Sequence, residues 1–198
     1  MRVSTLFENQ TPLTPEQITW FKMYVEEVEA FIVRYGDGKK VGGDFHTVNG
    51  KIETTRNFMF INNYYEDQDP LPEFIRFGKI RMMTFIDCQL ETFDILPYSA
   101  QSITFRDGVD ILSGSLKGIS KTLKECERIE IPRTVKKGLL DLMLIKGLKN
   151  VVYNGNKNGS AKSSIELAIE IINTCLKEGK DIFECQEMLQ DRKLEKFA

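Results

Sequence analysis

Ile80-Arg81-Met82-Met83-Thr84-Phe85-Ile86-Asp87-Cys88-Gln89-Leu90 is the stretch that decides how this chain folds. Apolar side chains stand at its first, fourth, sixth and eleventh positions, with cysteine at the ninth. The fourth and sixth positions share one face of a short strand, and the residue between them points the other way. Asparagine or cysteine at the ninth position suits a closing turn: a buried side chain there can bond the backbone of neighbouring coils or, for cysteine, fill the space with a small group.

The same spacing recurs in both directions. Leu148, Val151 and Tyr153 repeat it with Asn156 at the ninth position, and Thr55, Phe58 and Phe60 repeat it with Asn63. Two looser copies lie between: Ala100, Ile103 and Phe105 with Gly108, and Cys126, Ile129 and Ile131 with Thr134. The fourth-position residues are thus Phe58, Met83, Ile103, Ile129 and Val151, at intervals of 25, 20, 26 and 22 residues. An incomplete first copy is expected through Gly43, Phe45 and Val48. One such unit buries too little apolar surface to stand alone, so the copies must stack around a shared core, with a parallel sheet along one side.

Helices are expected at both ends. Thr14-Pro15-Glu16-Gln17 joins a capping threonine to a proline at the first helical position and a glutamine three residues after the cap. Ile18, Phe21, Val25, Val28 and Ile32 then form an apolar stripe that Gly36-Asp37-Gly38 terminates, with Trp20 and Tyr24 flanking it and Glu26, Glu27 and Glu29 on its wet side. Beyond Asn156, Ser163-Ser164 opens a second apolar helix that Gly179 stops, and Asp181 with Glu184 opens a third. The expected organisation is a capping helix region over 1–38, an irregular solenoid over 39–159 and a helical cap over 160–198. Together these form one α/β structural domain.

The repeat resembles that of the leucine-rich-repeat proteins. The contexts of Pro97 and Pro132, the run from Cys126 to Pro132 and the run from Gly147 to Asn156 are similar to the irregular forms found in bacteria and large tailed bacteriophages. The opening from Thr14 to Val25 and the segment from Gly36 to Gly43 resemble the leader of such phage proteins. The chain departs from the regular pattern in its few core leucines and unequal repeat lengths. What the resemblance implies is a viral protein that binds a host or antiviral-defence factor in the host cytoplasm.

Composition narrows the alternatives. Twenty-seven basic residues against 29 acidic ones give a net charge of −2, which disfavours a nucleic-acid footprint. No stretch is apolar for long enough to span a bilayer, and the first residues carry no signal peptide, so a cytoplasmic location is expected. Cys88, Cys126, Cys175 and Cys185 form no C-x-x-C pair and read as reduced core residues.

Catalytic patterns are incomplete. His46 is the only histidine, which removes two-histidine metal sites, and Asp44 beside it joins no nucleophile motif. The Asn/Gly-rich loop over 154–163 lies between a strand and a helix, but its glycines are four apart and Lys162 lies three beyond Gly159, which a phosphate-binding P-loop does not allow. Glu66, Asp67 and Asp69 lack the calcium-loop spacing. No cofactor or metal is expected.

The expected function is therefore non-enzymatic protein binding through the outward side of the sheet. If the register holds, Met59, Thr84, Thr104, Glu130 and Val152 form one outward row, and Ile61, Ile86, Arg106, Pro132 and Asn154 form the next. Met59, Ile61 and Ile86 would then make an apolar patch, with Arg81, Arg106 and Arg128 as polar anchors. Tyr64 and Tyr65 offer a second candidate surface. The first alternative is a small nucleotide- or phosphoester-processing enzyme using Asp44, His46 and the 154–163 loop. The second is a self-associating assembly protein.

Overall fold

Phe58, Met83, Ile103, Ile129 and Val151, the five fourth-position residues, stand side by side as Cα partners across five parallel strands. The computed structural model describes residues 10–19, 46–61, 75–106, 108–155 and 162–198, with the backbone alone for Gln10 and for 54–61. Its strands are β1 (Gln10–Thr11), β2 (His46–Val48), β3 (Lys51–Ile61), β4 (Phe77–Ile86), β5 (Gln89–Leu90), β6 (Ser99–Phe105), β7 (Asp110–Ile111), β8 (Glu125–Pro132) and β9 (Asn150–Asn154). Seven of them form one sheet in the order β1-β2-β3-β4-β6-β8-β9, parallel from β3 to β9. The chain winds as a parallel-sheet solenoid of about four turns.

Alternation along each strand explains the core. Met83 and Phe85, Ile103 and Phe105, and Ile129 and Ile131 are fully buried on one side, and Val151 is buried beside them. The first-position residues Ile80, Ala100, Cys126 and Leu148 close the core at the strand entries. The rings of Phe85 and Phe105 stack with centroids 5.2 Å apart and planes 21° apart, joining two successive coils.

The ninth-position groups tie the turns as their chemistry requires. The Cys88 thiol donates to the Ile86 carbonyl at 3.1 Å. The Thr134 hydroxyl donates to the carbonyl of Val109 and accepts from the amide of Ile111, both at 3.4 Å, which links its coil to the preceding one. Gly108 holds φ at 74°, and a Cβ there would lie 1.6 Å from a carboxylate oxygen of Asp87, so a side chain at that position would be strained and would have to displace Asp87. On the far side of the core β5 and β7 pair in parallel, and the helix α1 (Ile119–Thr122) and a 3-10 turn (Leu139–Leu144) complete the arcs.

One expectation is corrected. Val48 does not belong to a parallel coil: β2 runs antiparallel to β3, with Thr47 opposite Ile52. The cause is the Asn49-Gly50 pair, whose φ values of 51° and 74° are both positive, as a tight two-residue hairpin turn requires. β1 extends this antiparallel edge through Gln10 opposite Val48.

The ends follow their capping signals. A helical turn opens at 15–19, where the Thr14 hydroxyl accepts from the Gln17 amide at 3.2 Å and the Gln17 side chain accepts from the Thr14 amide at 2.9 Å. The expected stripe residues Phe21, Val25, Val28 and Ile32, with Trp20, Tyr24, Glu26, Glu27 and Glu29, lie outside the described residues. At the other end α2 (Ser164–Glu178) starts at a Ser163–Glu166 capping box and stops at Gly179, whose φ is 67°. The helix α3 (Ile182–Asp191) starts at an Asp181–Glu184 capping box. Burying Ile165, Ala168, Ile169, Ile172 and Cys175, α2 closes the core beside β9.

Among the described residues no helix is long and apolar enough to cross a membrane.

All four cysteines are free and buried. Burial, followed by the hydrogen bond with Cys175, pushes the Cys185 thiol up to about 12, and burial pushes that of Cys126 up to about 11. Since the thiolate is the nucleophile, the native protein is expected to leave all four thiols unlabelled by a disulfide reagent at pH 8, and to expose all four in guanidinium. Rapid labelling of any one in the native state would contradict this core.

Candidate functional site

The outward side of the sheet has the register that the repeat implies. Met59, Thr84, Thr104, Glu130 and Val152 align across β3, β4, β6, β8 and β9, while Ile61 aligns with Ile86 and Pro132 with Asn154. Alignment does not make each residue accessible. Thr84 and Thr104 are buried, at 8% and 6% exposure, as is Ser102 beside them. A short side chain on an inner strand is flanked at about 4.8 Å by both neighbouring strands and by residues two positions along its own, which shields it. The two threonines are thus corrected from contact residues to the floor of the face.

The exposed groups are the arginines. Arg81, Arg106 and Arg128 are exposed on three successive parallel strands or their ends. Arg128 pairs with half-buried Glu130 at 3.8 Å, and Ile86 is half-buried. The side chains of Met59 and Ile61 lie outside the described residues, as do Tyr64 and Tyr65, so the expected apolar patch is represented here by Ile86 alone.

Among the described residues a cleft borders this face at the strand entries and another at the exits, and the repeat pattern pointed to neither as a cavity. The larger, of about 730 Å³, crosses the entries of β4, β6, β8 and β9 and ends at the β2–β3 hairpin. Ser99 is the partner of Lys79 and of Glu125, and Glu125 bridges to Lys146, so these four make one rung. The same register places Arg81, Gln101, Glu127 and Lys149 in the next. Glu125 and Lys146 are 3.8 Å apart, and Glu127 and Lys149 are 3.4 Å apart. Lys79 and Arg81 instead face the neutral Ser99 and Gln101, and among the described residues neither has an ion-pair partner. The hairpin brings His46 to 4.0 Å from Glu53 at the end wall. Gly78 makes room for that wall: a Cβ there would meet a Glu53 carboxylate oxygen at 2.7 Å. Cys126 lies in the floor as the neutral thiol and donates to the Arg128 carbonyl at 3.1 Å.

The smaller cleft, of about 230 Å³, lies at the exits of β6, β8 and β9, among Arg106, Val109, Pro132, Arg133, Thr134 and Asn154. Near it, burial and then the charge of Glu166 hold the Tyr153 hydroxyl above its ordinary range, and it donates to the Arg133 carbonyl at 3.4 Å.

The alternative catalytic grouping is divided between opposite ends of the sheet. His46 lies at the first cleft on β2, whereas Asn154 ends β9 and Lys162 pairs with Glu170 of α2. Asp44 and residues 156–161 lie outside the described residues. Of the acidic loop, Glu66, Asp67 and Asp69 also lie outside them.

The signal that could have located the larger cleft was the cluster of Glu and Lys at or just before the starts of β4, β8 and β9, at Lys79, Glu125, Glu127, Lys146 and Lys149. Comparison with models of protein families, with characterised proteins and with solved structures gave no match to this chain.

Proposed function

We propose that this protein is a non-enzymatic protein-binding module that holds its partner on the outward side of the parallel sheet. The observation that carries the reading is the set of exposed arginines that successive coils place on that face and at the clefts beside it: Arg128 along it, Arg106 at the exit cleft and Arg81 at the entry cleft. Arginine joins a planar bidentate donor to an apolar stem, and it is among the side chains that dominate measured interfaces. The buried threonine floor gives them a rigid base, so little ordering is needed when a partner arrives. The finer form of the proposal is a leucine-rich-repeat-like, phage-encoded protein that inhibits or redirects a host or defence protein in the cytoplasm. It draws on the resemblance of the runs from Cys126 to Pro132 and from Gly147 to Asn156.

The test is affinity capture from bacterial lysate at moderate salt, followed by titration of the captured protein with wild type and with Arg106→Ala/Arg128→Ala. Stoichiometric binding that weakens about tenfold or more in the double variant is expected, since an interface arginine can contribute above about 1 kcal/mol. Repeated failure to capture any specific partner counts against the reading. So does a thermal stabilisation by nucleotide or divalent metal that both His46→Ala and Lys162→Ala abolish, which would favour a small enzyme instead.

A further inference from the structure

The geometry points to the cleft at the strand entries as a binding site for an extended acidic peptide, with a carboxylate seated between Lys79 and Arg81. This rests on the protein-binding reading and adds the chemistry of the bound segment.

Three observations select the ligand. The first is an imbalance along the rungs: the acids on β8 already have their lysines, Glu125 with Lys146 and Glu127 with Lys149, whereas the two cations on β4 meet the neutral Ser99 and Gln101 on the β6 side and have no ion-pair partner among the described residues, Glu53 on the β3 side lying instead 4.0 Å from His46. An incoming carboxylate would meet two unpaired cations, with a hydroxyl and an amide alongside to complete its hydrogen bonds. The second is that Glu53, Glu125 and Glu127 line the same cleft. They repel a polyphosphate track, so a nucleic-acid backbone is disfavoured while a single carboxylate at the β4 end is admitted. The third is span. From β4 to β9 the cleft crosses four strands about 4.8 Å apart, roughly 14 Å, which an extended chain rising about 3.3 Å per residue covers in four or five residues. A segment with aspartate or glutamate over β4 and polar residues over the neutral Glu–Lys pairs of β8 and β9 matches the charge pattern along its whole length.

The probe is a fluorescein-labelled, end-capped hexapeptide with one glutamate followed by serines, titrated by anisotropy at low salt against the full chain. Saturable binding is expected, weakened about threefold by Lys79→Ala or Arg81→Ala and about tenfold by the pair. Lys79→Arg should retain it. Both side chains are exposed, so the variants should keep the wild-type melting temperature. Three results would overturn the assignment: no saturable binding, binding that the double substitution leaves unchanged, or equal binding of a lysine–serine peptide. Competition by free glutamate or citrate at the peptide's own affinity would overturn it too, because the site would then serve small acids. If a captured partner depends on Arg106 and Arg128 but ignores Lys79 and Arg81, the cleft assignment fails and the wider reading stands. If nothing is captured while the peptide binds through Lys79 and Arg81, the arginine face fails and the cleft stands.

Discussion

Phe105→Ala is expected to destabilise the protein by about 3–5 kcal/mol, the range for deleting a buried aromatic ring from a packed core. Against a typical domain stability of about 5–15 kcal/mol this is a large fraction of the total. Phe105 is fully buried on β6, with β4 on one side and β8 on the other, and its ring stacks on Phe85 of the preceding coil. The substitution therefore removes contacts between turns as well as within one. In a solenoid, where each repeat is stabilised through its neighbours, a defect in the middle coil weakens both halves. Urea unfolding monitored by circular dichroism measures the effect as a lower midpoint. A loss below about 1 kcal/mol would mean that the coils do not share one core.

The second large effect lies at the edge of the sheet. The Asn173 side chain on α2 accepts from the Val151 amide at 2.7 Å and donates to the Val151 carbonyl at 2.8 Å, so one amide side chain stands in for the next strand of the ladder. Asn173→Ala leaves both backbone groups of Val151 without these partners. Each unsatisfied buried group costs about 1–3 kcal/mol, and as Val151 is only 2% exposed, a total of about 2–4 kcal/mol is expected. Asn173→Asp should not rescue it, because a carboxylate has no donor for the Val151 carbonyl. The uncovered edge is also a template for pairing with another chain. Sedimentation over a concentration series should show stronger association by the alanine variant than by the wild type. A monomeric variant of unchanged stability would remove Asn173 from this role.

Much of this architecture could be read directly from residues. The positions Phe58, Met83, Ile103, Ile129 and Val151 fall in register because a strand's two-residue period and a buried face leave each copy only one acceptable alignment. The capping boxes at Thr14, Ser163 and Asp181 were legible because they are local, needing only two side chains three residues apart. Val48 departs from the repeat because the Asn49-Gly50 turn that follows it is a stronger local constraint than its apolar spacing. Asn173 gave no signal at all, since its role depends on a strand 22 residues away. For the binding face, the pattern told which residues point outward but not how deep they sit. Thr84 and Thr104 point outward and are nevertheless shielded, because depth depends on neighbours from other coils.

The unequal copies have a consequence for how this chain can change length. Every coil returns to the same strand register, so the differences in interval are absorbed in the outer arcs over 87–98, 108–124 and 133–149. The sheet acts as a ruler and the arcs hold the slack. Doubling a flexible loop adds only about 0.6 kcal/mol of closure entropy, whereas one residue inserted into a strand moves every later side chain to the wrong face. Insertions are therefore cheap in the arcs and ruinous in the strands, which lets the outer surface diversify while the sheet keeps its spacing.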